Sequence, residues 1–173
     1  MMMVQIGNYH LGRAETANKP NMDAGEVFSL WDMLLTRYDI ITKTQIYQNF
    51  AHDPDLKVML NIGLSGHLKK QVALLEGEMN THRLPLPLSN PKSVNLPSHS
   101  EVLDDEFIFR DVFFGIQGFL DYHARLIRSI TTNDNFRKEL IDMAIEELHL
   151  FDKLVKFGKV KGWLRVPPIY QPQ

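Results

Sequence analysis

A chain of 173 residues has the size of one domain and can bury a core without disulfide or metal staples. A net charge of −2 gives no reason to expect nucleic acid or an anionic membrane as partner, and the absence of cysteine excludes disulfides and thiolate metal sites. No stretch approaches ~18 uninterrupted apolar residues, so no membrane span is expected.

The opening MMMVQIGNYHLGR lacks a basic start followed by an apolar run and does not read as a secretory signal, which makes a soluble cytoplasmic protein the expectation. Residues 1–22 read as an irregular N-terminal arm. Asp23 followed by Glu26 resembles a capping box, and apolar residues then recur at helical spacing from Val27 to Ile46. Asp53 as N-cap and Pro54 at the first helical position start a second helix that runs to about Glu78. The proline- and serine-rich segment THRLPLPLSNPKSVNLPSHSEVLD cannot be helical through most of its length. Helix three spans about Asp105 to Ile130, TTNDN breaks it, and helix four spans about Asn135 to Phe157 with a stop near Gly158. Residues 159–173 form an extended tail. No strand pattern and no internal repeat is evident.

The long linker, about 82–104, carries topological information. Helices of ~25 residues are ~37 Å long, while some twenty extended residues reach ~65 Å. The linker can therefore run the length of a bundle, whereas the other two connections are short and make antiparallel neighbours. The expected fold is all-α, a ferritin-like four-helix bundle over 23–158 with one long crossover between helices two and three.

Two stretches, DDEFIFRDVFFGIQGFLDYHARLIRSITTND and KLVKFGKVKGWLRVPPIY, resemble an uncharacterised ferritin-like family of Bacillus-type spore formers related to spore coat protein F. The resemblance covers helices two to four and the tail. Longer members look like two such bundles in tandem. It implies a spore coat or spore-associated protein without established activity, and it carries no catalytic residues over to this chain.

Chemistry must then come from the residues. Glu146-Glu147-Leu148-His149 is a Glu-x-x-His, which on one helix of a bundle is half of a di-metal carboxylate site. Successive helical residues turn by ~100°. Phe136, Leu140, Met143, Ala144, Leu148, Phe151, Leu154 and Val155 define the apolar arc of helix four, with Glu146 and His149 opposite it and Glu147 inside it. The same test turns His67, His123 and Tyr38 inward on the other three helices. The complete di-metal set is absent: Tyr38 stands where a carboxylate is wanted, Leu64 precedes His67 by three, and Leu150 stands where Glu147 needs its histidine. Two readings remain. In one, no cofactor is bound and the inward polar groups hydrogen-bond one another. In the other, one divalent metal (zinc, manganese or iron) sits among His67, His123 and Glu147 with Tyr38 behind the ligands. A small-molecule pocket lined by Tyr38, Thr42, His67 and Gln71 is a third, with no motif behind it.

Trp31, Phe109, Phe119, Phe136 and Phe151 read as core packing, and Arg110, Arg125 and Arg128 as a solvated stripe. Gly63, Gly66, Gly115 and Gly118 lie inside helices at ~1 kcal/mol each relative to alanine. Close approach of a backbone or bulky side chain, a local bend, or simple tolerance are the available reasons. Val58, Met59, Ile62 and Ala73 on helix two and Phe107 and Phe114 on helix three fall outside the core arcs, which points to a homo-oligomer, a dimer in which the glycine-bearing faces of helices two and three are candidate interfaces. The expected function is structural: a non-enzymatic, spore-associated protein that packs with itself and with other coat proteins, with a degenerate metal-binding, oxidoreductive bundle as the alternative.

Overall fold

The computed structural model describes residues 2–6, 9–14, 22–89 and 103–166, the first two of these segments by backbone alone. Helices α1 (Ala24–Phe50), α2 (Pro54–Asn61), α3 (Lys69–Thr81), α4 (Asp105–Ser129) and α5 (Asp134–Lys161) make the bundle. A π-helical turn, Ile62–Leu68, joins α2 to α3, so these three pieces act as one rod. The N-terminal residues differ from the irregular arm expected: β1 (Met2–Ile6) and β2 (Tyr9–Ala14) pair antiparallel, with Met2 opposite Ala14 and Ile6 opposite Tyr9. The signal for this hairpin is Gly7-Asn8 between two strand-compatible runs, a pair common in two-residue hairpin turns.

Capping fixes the helix starts. Asp23 accepts from the Glu26 backbone N–H at 2.9 Å, and Glu26 accepts from that of Asp23 at 3.2 Å, completing the capping box. Asp53, Asp104 and Asn133 accept from the N–H groups of Leu56, Phe107 and Phe136 in the same way.

Contacts between helix ends give the directions. Asp105, opening α4, accepts from the backbone N–H groups of His52 and Asp53 just beyond α1, at 2.7 and 2.9 Å. Glu26, opening α1, accepts from the N–H groups of Thr131 and Thr132 just beyond α4, at 3.0 and 2.9 Å. Thus α1 and α4 are antiparallel. Lys161, ending α5, reaches Asp53 and Asp55 at 2.7 Å each, while Asn133 donates to Glu78 of α3 at 2.9 Å. The chain therefore leaves α3 at one end of the bundle and re-enters α4 at the other. A connection running the bundle length is required, which is the one-crossover connectivity of ferritin-like bundles. Residues 90–102 of that crossover lie outside the described residues, as do 167–173 of the tail.

The core has two apolar clusters. One contains Leu30, Met33, Leu34, Leu75, Met79, Phe136 and Leu140; the other, toward the far end, contains Tyr47, Phe50, Leu56, Leu60, Ile108, Phe109 and Leu154. Helix α5 passes Gly158 and ends at Lys161, stopped by Gly162 at φ +72°, a left-handed position that glycine adopts without strain. Gly158 meets a different need: a Cβ there would lie 2.3 Å from Phe109 Cζ and 3.2 Å from Leu164 Cβ. Beyond the stop, Trp163 turns back onto Phe109 and Phe157.

Two further expectations change. Leu148, placed in the apolar arc of helix four, is 52% exposed, because the arc is centred on Leu140, Met143, Glu147 and Leu154 instead. Gly63, Gly66, Gly115 and Gly118 have no close neighbour among the described residues: a Cβ at any of them meets nothing there within 4 Å. For Gly63 and Gly66 the local reason is the π-helical turn that contains both.

Candidate functional site

Where the four helices meet at mid-height, Arg37 of α1, His123 of α4 and Glu147 of α5 form one buried cluster. Arg37 is only 1% exposed. Its guanidinium pairs with Glu147 Oε1, lies 3.0 Å from His123 Nε2 through Nη2, and stacks over the Phe119 ring at 4.0 Å from the centroid. Arginine only donates, so a hydrogen bond from Arg37 requires His123 Nε2 as acceptor and the proton of a neutral ring on Nδ1, which has no partner among the described residues. The opposite tautomer would serve Glu147 Oε2, 3.3 Å from Nε2. In a neutral ring only one of the two contacts is a hydrogen bond, and the tautomer decides which.

Burial pushes the Glu147 carboxyl up, but the His123 ring and the Arg37 guanidinium pull the other way and prevail, so it titrates below the ordinary carboxylate value. For Arg37, burial lowers the pKa and the Glu147 charge opposes it. One guanidinium thus balances one carboxylate in the core.

Around this cluster three tyrosines donate to carboxylates between helices: Tyr38 to Glu76 at 2.6 Å, Tyr47 to Asp111 at 2.7 Å, and Tyr122 to Asp32. All three phenols are pushed up, first by burial and then by the carboxylate partner.

The structure brings together two of the three predicted metal ligands and leaves the third apart. His123 and Glu147 meet. His67, on the π-helical turn, is half-buried and faces Glu146 at 3.9 Å, a carboxylate that also receives Lys70 at 2.7 Å on the bundle surface. Tyr38 turns to Glu76 and not to the ligands. Among the described residues no three histidine, aspartate or glutamate side chains converge as a ligand set. A divalent ion shared by His123 and Glu147 would have to displace the guanidinium or sit charge-to-charge beside it, so the side chains as arranged do not fit one. His149 is exposed, as its helical phase requires.

Residues 12–173 match the family described as "Protein of unknown function (DUF3231)". The chain belongs to that family. No curated protein matches it. Among solved structures, a Bacillus halodurans protein described as a "putative spore coat protein" is 21% identical, with 87% of this chain and 96% of that chain covered and a TM-score of 0.79. A conserved hypothetical protein of Mycobacterium tuberculosis, rv2844, is 11% identical, with 86% and 98% covered and a TM-score of 0.64. At these identities the likeness is one of fold.

Sequence reasoning missed two buried charges in this DUF3231 bundle. Arg37 follows Leu30 by seven, Met33 by four and Leu34 by three, which is core spacing, yet its charge argues for the wet face. Glu26 is fully buried as well. Beyond the capping box it accepts from the loop after α4, and those hydrogen bonds outweigh burial to lower its pKa. In both cases the signal is a charged residue at an a/d-like position, which the helix-period test detects once residue type is ignored.

Proposed function

We propose that this DUF3231 chain is a structural, self-associating bundle of the spore coat type, in which the polar cluster sets how the helices fit together and performs no catalysis. The observation that carries the reading is that the core cation is Arg37 itself: its guanidinium pairs with Glu147 and His123, the residues a catalytic metal would need. A buried ion pair is weak evidence of added stability, and fixing the register of the helices is the role assigned to it here. The coat context, including a location in the spore coat and contact with other coat proteins, rests on the fold likeness to the Bacillus halodurans protein. No helix among the described residues is long and apolar enough to cross a membrane.

Self-association has a surface to use. Ile141, Ile145 and Leu148 are exposed at spacings of four and three on α5 and therefore form one apolar stripe. A stripe on one helix can pair with its own copy across a two-fold axis. Val58, Ile62, Phe107 and Phe114, expected outside the core arcs, are exposed too and offer further contact surface. Sedimentation of untagged protein at micromolar concentration tests the reading. A dimer that Ile145→Glu with Leu148→Glu converts to a folded monomer supports it. A wild-type monomer contradicts it, and a dimer insensitive to these changes removes α5 as the interface.

A further inference from the structure

Between the two apolar clusters the helices do not close on one another. A cavity of about 80 Å³ lies there, walled chiefly by Ile40, Leu60, Leu68, Val112, Ile116 and Leu154. Polar side chains line it too, among them Arg37, Gln71 and Glu147 from three helices. Gln71 is 2% exposed, and neither Nε2 nor Oε1 of its amide has a hydrogen-bond partner among the described residues. Arg37 Nε is buried and unpartnered among the described residues too, and Glu147 Oε2 has only the His123 ring beside it, at 3.3 Å. Buried polar groups are ordinarily hydrogen-bonded, so a donor–acceptor pair on Gln71 beside a further donor and acceptor calls for a partner.

The walls are shaped to keep this space. Gly63 and Gly115 line it, and neither would bring a Cβ within 4 Å of another atom. Gly63 and His67 belong to the π-helical turn, a distortion that recurs at binding sites. Lys43 and Asp111, a partly exposed ion pair at 2.5 Å, line the cavity on its solvent side.

We propose that this cavity binds a small neutral amide, a compact apolar body carrying one primary amide or lactam edge. The Gln71 amide presents a donor and an acceptor side by side, and the complementary edge is another amide. Charge selects against the obvious competitors. Arg37 and Glu147 already neutralise each other, so a carboxylate or an ammonium would bring an unbalanced charge into a buried, largely apolar space. The apolar walls hold the tail, and a few convergent polar atoms fix the head, the usual division of labour in a small-molecule site.

The test is a titration of ¹⁵N-labelled full-length protein with butyramide, butyrate and butylammonium, followed at the side-chain NH₂ of Gln71, whose signal is identified by its loss in Gln71→Met. The expected result is a saturable shift with millimolar butyramide, and binding of both charged probes at least tenfold weaker. In Gln71→Met, with backbone signals still dispersed, butyramide binding, read in both proteins at the backbone amides of Gly63 and Gly115 in the cavity wall, falls at least tenfold. Absence of a saturable shift means that the space holds water only and overturns the proposal, as does equal binding of a charged probe. Should Gln71→Met fail to fold, the comparison of charged and neutral probes on the wild type decides alone.

Discussion

Replacing Arg37 by leucine leaves the Glu147 carboxylate buried without a counterion, and the expected cost is about 3–5 kcal/mol. Replacing Arg37, His123 and Glu147 together by leucine removes all the charge at once, and the expected change lies between neutral and a gain of about 1–4 kcal/mol. Urea unfolding of the two variants checks this. A single change as mild as the triple one would mean that the pair is hydrated and the cluster no lock. The same residues predict the acid limb of the stability profile. Folding holds the Glu147 carboxyl below its ordinary value of 4.5, so its contribution is fully present above that pH and is lost as pH falls through the folded value. Glu147→Gln should flatten that limb. The tyrosines act in the opposite sense: folding raises Tyr38, Tyr47 and Tyr122 above their ordinary 10.0, so their contribution is full below pH 10 and is lost as pH rises through the folded values. The triple change to phenylalanine should weaken the alkaline dependence of the urea midpoint. Helical phase alone revealed His123 and Glu147. It did not reveal Arg37, because a guanidinium belongs in the core only when a carboxylate from another helix is waiting, and that pairing is a property of the tertiary fold.

At the scale of helices, glycines with the same residue type have unlike tasks. Gly158→Ala drives a methyl group into the Phe109 ring, and overpacking of this kind costs roughly 1–3 kcal/mol. Gly118→Ala meets open space in the middle of α4 and should stabilise by up to ~1 kcal/mol. Thermal unfolding of both variants measures the contrast, and equal effects would contradict the packing described. The sequence could not separate these positions, since what distinguishes them is an aromatic ring 49 residues away along the chain. Capping residues were legible: Asp23, Glu26, Asp53 and Pro54 mark helix starts through contacts within a few residues. The π-helical turn was not, because its apolar spacing still reads as one continuous helix. Leu148 shows the same limit. An arc ~160° wide cannot say which edge is covered by a neighbouring helix.

For the whole molecule, topology was the most legible part, since one proline-rich connection long enough to span the bundle admits few arrangements of four helices. The N-terminal hairpin escaped because its strands are short and lack clean alternation. Arg37 is what neutralises the Glu147 carboxylate at the middle of this bundle. Elemental analysis of protein purified without an affinity tag tests it most directly. The prediction is no divalent metal approaching one ion per chain, in the wild type and in His123→Ala alike, because the guanidinium of Arg37 holds that place. One zinc, manganese or iron per chain, lost on changing His123 or Glu147 to alanine, would contradict it and return the bundle to the metal-dependent reading.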